Sequence, residues 1–172
     1  VPTDDFFADV LAANEAYVAR FDRAGLTGRA AKGLAVLTCI DSRIDPLAAL
    51  GLVAGDAKIL RNAGARVTDD VLRTLVLASH LLGVDRVMVM AHTDCRMVGE
   101  SDARVHEAIR ASGGPDTRSI LFQVTSDPEG TLAEDVQRIR SSPYLEGLRV
   151  GGFLYDVETG RPATERTLFQ SG

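Results

Sequence analysis

Apolar residues follow two rhythms along the chain. At Phe6, Val10, Leu11, Ala13, Tyr17, Val18 and Phe21 they recur at roughly helical spacing, with Gly25 where a helix would stop, which predicts an amphipathic arm over about residues 4–24. Residues 34–38, by contrast, form a short unbroken apolar run ending at Cys39, as expected of a strand buried on both faces of a parallel sheet. Residues 57–60 predict a second strand that stops at Arg61-Asn62-Ala63-Gly64, and residues 86–91 a third that ends at His92. Between the first two, Pro46 to Leu50 predicts a helical turn closed by Gly51.

Thr68, Asp69 and Asp70 precede an apolar run at Val71, Leu72, Leu75, Leu77, Ala78, Leu81 and Leu82, with Gly83 just beyond. Thr68 suits an N-cap, the aspartates suit the positive end of the helix dipole, and Gly83 suits the C′ position. Helices are also predicted over residues 103–111 and 131–140, either side of a break at Gly113-Gly114-Pro115. A late strand over residues 148–157, weakened at Gly151-Gly152, runs into a turn at Glu158-Thr159-Gly160-Arg161-Pro162, and residues 161–172 carry no assigned element. Strands alternating with helices predict an α/β fold with a mainly parallel central sheet flanked by helices.

Length and composition narrow this picture. The 172 residues suit a single domain, and 45% apolar content with 25% charged disfavours disorder. A net charge of −5 gives no general affinity for nucleic acid or anionic lipid, so neither is expected as a partner, and no apolar stretch is long enough to span a bilayer. Two cysteines, Cys39 and Cys95, do not make a secreted disulfide framework, which favours a soluble protein of the reducing cytoplasm.

The useful polar groups gather in three loops at the carboxyl ends of the three predicted strands, where open α/β sheets bind ligands. These are Cys39-Ile40-Asp41-Ser42-Arg43, Arg61-Asn62-Ala63-Gly64 and His92-Thr93-Asp94-Cys95. If the first and third strands are neighbours, Cys39, His92 and Cys95 bring two thiolates and an imidazole to one point, a donor set suited to Zn2+. Three protein ligands leave a fourth position open or contested, the arrangement of a catalytic zinc. His80 and His106 lie on predicted helices without clustered partners and are expected to serve packing or surface roles.

With C-x-D-x-R at Cys39, Asp41 and Arg43, R-N-A-G at residues 61–64 and H-x-x-C at His92 and Cys95, the chain resembles the β-class carbonic anhydrases, in particular their compact prokaryotic clade. The resemblance implies that Cys39, His92 and Cys95 hold zinc and that Asp41 alternates between two states. Bound to the metal, Asp41 excludes water; held by Arg43 in a bidentate pair, it frees the metal to take hydroxide. The second state is favoured as pH rises, so the implied activity, reversible hydration of carbon dioxide to bicarbonate, should rise with pH. The resemblance also implies a homodimer or higher homo-oligomer in which the N-terminal helix covers the partner.

Ala63 and Gly64 are candidates for the pocket lining, although Gly64 also suits a turn with positive φ. Arg96 is a departure, since the family usually has glycine after the H-x-x-C cysteine. Its guanidinium can point to solvent, attract bicarbonate, or obstruct the site and compete with Arg43 for Asp41. Two other readings stand beside carbon dioxide hydration: hydrolysis of carbon disulfide or carbonyl sulfide on the same scaffold, and a non-catalytic zinc protein disabled by Arg96.

Overall fold

The unbroken apolar runs become the middle of a five-stranded sheet. The computed structural model describes residues 6–99 and 101–164. Its elements are α1 (Ala8–Val18), β1 (Leu34–Cys39), α2 (Pro46–Ala49), β2 (Ala57–Asn62), a 3-10 turn (Ala63–Ala65), α3 (Asp69–Leu81), β3 (Arg86–His92), α4 (Asp102–Ala111), α5 (Pro128–Arg140), β4 (Arg149–Tyr155) and β5 (Pro162–Thr164). The strand order is β2-β1-β3-β4-β5; the first four run parallel and β5 returns antiparallel on β4.

Both faces of the central strands are covered, which is why their sequences do not alternate. On one face Ala35, Leu37, Val87, Val89 and Val150 pack with Val71, Leu75 and Ala78 of α3 and Leu132, Val136 and Ile139 of α5. On the other, Val36 and Met90 meet Ile44 and Tyr155, while Leu34, Ile59, Met88 and Phe153 are only partly buried beside the short α2. The register sets Cys39 opposite Asn62 and His92 opposite Tyr155. The carboxyl ends of β1, β2 and β3 therefore lie side by side, and the three polar loops share one edge.

Helix α3 forms as its sequence predicts: the Thr68 hydroxyl accepts from Val71 N at 3.3 Å. At its other end Gly83 has φ +77°, and the Val84 N–H reaches back to the Ala78 carbonyl at 3.1 Å, which closes the last turn. Three boundaries differ from the periodic reading. Strand β2 continues through Arg61 and Asn62, because their side chains bond to backbone groups at this edge rather than ending the ladder. Helix α5 starts at Pro128, where Asp127 accepts from Gly130 N at 2.9 Å and proline takes a first-turn position that needs no donor. Strand β4 stops at Tyr155, since Asp156 accepts from the Glu158 and Thr159 amides and turns the chain toward β5.

Helix α1 occupies the predicted arm but buries none of its residues; Val10, Leu11, Tyr17 and Val18 are all exposed, and Asp9, Asn14 and Glu15 interrupt its apolar surface. Residues 4 and 5 of that arm, and residues 165–172, lie outside the described residues. Among the described residues no helix is long and apolar enough to cross a membrane.

Candidate metal centre

Cys39 is the last residue of β1, His92 the last of β3, and Cys95 lies in the loop that follows. One donor atom from each, two Sγ and an imidazole nitrogen, falls within 4.8 Å of the others. His92 is oriented for this role. Its Nδ1 lies 2.8 Å from the Thr93 carbonyl, which can only accept, so Nδ1 carries the proton and Nε2 presents a lone pair. That Nε2 is buried and has no hydrogen-bond partner, an arrangement that is unfavourable unless something else binds the nitrogen. A soft or borderline cation with affinity for sulfur and nitrogen fits, and zinc is the ion this donor set favours.

The backbone around His92 is itself anchored: Thr93 N donates to the Tyr155 carbonyl at 2.9 Å, and the Thr93 hydroxyl accepts from Val157 N at 3.1 Å. Burial, the largest cause, pushes the Cys95 thiol up to about 11, and neighbouring Cys39 and Asp41 add to the effect. In the metal-free fold Cys95 therefore keeps its proton at neutral pH, and a metal must displace it.

Asp41 faces the same point, with Oδ2 3.9 Å from His92 Nε2, but its carboxylate is engaged elsewhere. Arg43 donates from Nε to Oδ1 at 3.0 Å and from Nη2 to Oδ2 at 2.8 Å, and its backbone N–H reaches Oδ1 at 2.9 Å. These bonds, the Arg43 side chain first, hold the Asp41 carboxyl well below the usual carboxylate range, and the same pairing raises Arg43. Arg43 is fixed from a second side by Asp94, whose carboxylate accepts from Nη1 at 2.8 Å and whose carbonyl accepts from Nη2 at 3.1 Å. Asp94 adopts φ +52°, a left-handed conformation that aspartate tolerates better than most residues.

The turn after β2 supports the first loop. Arg61 donates from Nε to the Cys39 carbonyl at 2.8 Å and from Nη2 to the Asp41 carbonyl at 2.7 Å. Asn62 closes the turn on both backbone groups of Arg66, and within it the Gly64 N–H points at Cys39 Sγ, 3.4 Å away. Gly64 has φ +81°, and a Cβ there would lie 3.1 Å from Met97 Cβ. Gly64→Ala is expected to destabilise the fold by roughly 1–2 kcal/mol and to weaken zinc retention. Thermal unfolding and competition with a chelator would read the two effects separately.

A family model described as "Carbonic anhydrase" matches residues 34–121. β-Carbonic anhydrase 1 of Mycobacterium tuberculosis is 34% identical over 166 residues, covering 92% of this chain and 94% of that protein. The chain belongs to the β-carbonic anhydrase family. By family it is thus a carbonic anhydrase, a lyase. The crystal structure of a carbonic anhydrase from Streptococcus mutans superimposes with a TM-score of 0.86 at 38% identity, covering 92% of this chain and 96% of that one. The same family includes carbon disulfide hydrolases, such as that of Acidianus, 30% identical over 73% of this chain and 74% of that protein.

In this β-carbonic anhydrase the candidate pocket residues divide between two spaces. Ala63 and Arg96 line an open cleft of about 490 Å³ with Cys39, Asp41, Arg43, His92 and Cys95. Gly64 instead lines a small inner cavity of about 30 Å³ behind His92 and Cys95, bordered by Arg66, Gln123, Thr131 and Asp135. Arg96 is exposed and takes no part in holding Asp41, both of whose oxygens are occupied by Arg43. His80 and His106 stay apart from the centre: His80 Nε2 meets the Tyr144 carbonyl at 2.9 Å, and His106 bonds Thr117 and packs on Phe122.

Sequence reasoning named Arg61 and Asp94 within their loops but gave neither a role of its own, and it passed over the Arg66–Asp135 pair. Asp94 carried a readable signal, an acid inside the H-x-x-C motif one position before Cys95. Asp135 carried none, because 69 residues separate it from Arg66.

Proposed function

We propose that the chain is a zinc-dependent enzyme that reversibly hydrates carbon dioxide to bicarbonate and a proton. The observation that carries this reading is the Asp41–Arg43 pair: the carboxylate beside the Cys39, His92 and Cys95 donors is drawn onto a guanidinium, so that zinc held by those three residues would be free to take water rather than Asp41. Zinc, when held by those three residues, supplies a water whose pKa is lowered to about 7.

The protein groups do the rest. Asp41, kept ionised by Arg43, can only accept hydrogen bonds, so it holds the proton of the reacting water and aims an oxygen lone pair toward the cleft. Asp94 keeps Arg43 in place, and Arg61 fixes the backbone on which Cys39 and Asp41 sit. The Gly64 N–H points at Cys39 Sγ and helps fix its position. The cleft opens to solvent, where bicarbonate and the proton leave.

The pH behaviour follows in sign. A depressed carboxylate favours the folded pair above its ordinary pKa of about 4 and loses that benefit only as pH falls through its lower native value. Asp41 therefore stays charged throughout the neutral and alkaline range, and a rise of activity across about pH 6.5 to 9 belongs to the reacting water. Stopped-flow hydration over that range, with zinc measured on the same sample, is expected to show activity rising with pH at about one zinc per chain. Bound zinc without hydration at any pH would refute the reading and favour a non-catalytic zinc protein.

The carbon disulfide hydrolase relatives favour a second reading, hydrolysis of carbon disulfide or carbonyl sulfide by the same residues. Selecting these molecules over carbon dioxide, which is also linear and apolar, calls for a narrow apolar entrance, and the open cleft bordered by Arg43 and Arg96 supports carbon dioxide instead. Sulfide release from either substrate at rates comparable to hydration would reverse this choice.

Two free thiols suit a reducing compartment, which supports a cytoplasmic location. It is also proposed to act as a homodimer or higher homo-oligomer. Exposed Val10, Leu11, Tyr17 and Val18 on α1, and the partly covered sheet face at Met88 and Phe153, are apolar surfaces that a second copy would bury. Sedimentation equilibrium is expected to give at least twice the mass of the chain.

A further inference from the structure

Two arginines near the metal centre are tied up in hydrogen bonds. Arg43 gives its side-chain donors to Asp41 and Asp94, and Arg61 gives Nε and Nη2 to the Cys39 and Asp41 carbonyls. Arg96 is different. It follows Cys95 directly, lines the cleft with Cys39, Asp41, His92 and Cys95, and is exposed. It makes no hydrogen bond or ion pair with another described residue. The same side chain borders an adjoining groove of about 470 Å³ along α4, which puts it at the rim where the cleft meets the surface.

A guanidinium with its donors open beside a metal centre attracts anions and is indifferent to neutral molecules. Of the species in the proposed reaction that enter and leave through this cleft, carbon dioxide and water are neutral, the proton is a cation, and bicarbonate is the anion. We propose that Arg96 is a specificity-determining residue that holds bicarbonate at the rim of the cleft, setting its affinity and the ease with which it leaves. The identity of the anion rests on the carbon dioxide reading. The presence of an anion subsite rests on Arg96 alone.

The effect is expected in binding rather than in the balance of the two directions. Solution equilibrium fixes the ratio of kcat/KM for hydration to that for dehydration, and no side chain alters it. A cation that stabilises bound bicarbonate lowers its Kd and its KM, and the attraction weakens as salt screens it.

The test compares the zinc-loaded full chain with Arg96→Gln and Arg96→Lys, each checked for zinc content and circular dichroism. Line broadening of 13C-labelled bicarbonate would give Kd at about 10 mM and about 300 mM salt, and dehydration kinetics would give KM. Arg96→Gln is expected to raise Kd and KM by a common factor of roughly 3- to 10-fold at low salt and to flatten the salt dependence, while Arg96→Lys keeps most of the affinity. Wild-type affinity and salt dependence in Arg96→Gln, or no saturable binding to the wild type, would overturn the inference. If the protein binds bicarbonate through Arg96 but hydrates no carbon dioxide, the functional reading falls and the anion subsite stands. If hydration proceeds and Arg96→Gln binds normally, the subsite alone falls.

Discussion

Cys39→Ala protein is expected to purify with far less than one zinc per chain and to lose carbon dioxide hydration by roughly 1,000-fold or more, the several kcal/mol that a metal contributes to such a step. The residue is suited to a clean test. It is buried at the end of β1, so removing the thiol leaves only a small void and a stability loss of about 1–2 kcal/mol, and circular dichroism should remain native. Two donors would remain in His92 and Cys95, but Cys95 keeps its proton near neutrality when no metal is present, because burial pushes it up to about 11. His92→Ala should reproduce the loss through the other donor type. Full hydration by a metal-free Cys39→Ala protein would remove zinc from the mechanism altogether.

This prediction draws on a part of the molecule that was legible in the sequence, and the reason is geometric. In a parallel sheet the ends of adjacent strands must meet, so short apolar runs ending at Cys39 and His92 already place those residues together if β1 and β3 are neighbours, and they are. The helix caps at Thr68 and Gly83 were readable for a similar reason: each satisfies backbone groups within a few residues of itself. The start of α5 was less so, because the signal there is Asp127 and Pro128 rather than apolar periodicity.

What stayed hidden depends on contacts distant in sequence or on torsions. Asp94 matters because a left-handed backbone turns its carboxylate and carbonyl toward Arg43, 51 residues earlier. The amphipathic reading of the N-terminal arm found the helix but not its surroundings. Among the described residues helix α1 buries none of its side chains, so its apolar residues carry information about a neighbour that local patterning does not contain.

The buried acid behind the metal centre bears on the fold more than on the chemistry, and Asp135→Ala is expected to destabilise the protein by about 3–5 kcal/mol. The Asp135 side chain is only 6% exposed and receives Arg66 Nε at 2.7 Å. Arg66 also donates from Nη1 to the Gln123 carbonyl at 3.0 Å, and its backbone closes the Asn62 turn that carries Gly64 to Cys39. Truncating the acid leaves a guanidinium, itself 18% exposed, without its counter-charge beside a cavity too small to hydrate it freely. For a chain of this size the loss corresponds to a fall in Tm of roughly 10 °C. A well-packed apolar replacement of both partners should recover much of that stability, since it is the orphaned charge rather than the missing pair that is unfavourable. Zinc retention separates the two roles of the pair: if Arg66 and Asp135 also hold the Gly64 turn, the apolar double variant will regain Tm but bind zinc less tightly than wild type, whereas a purely structural pair would leave zinc affinity unchanged once the fold is restored.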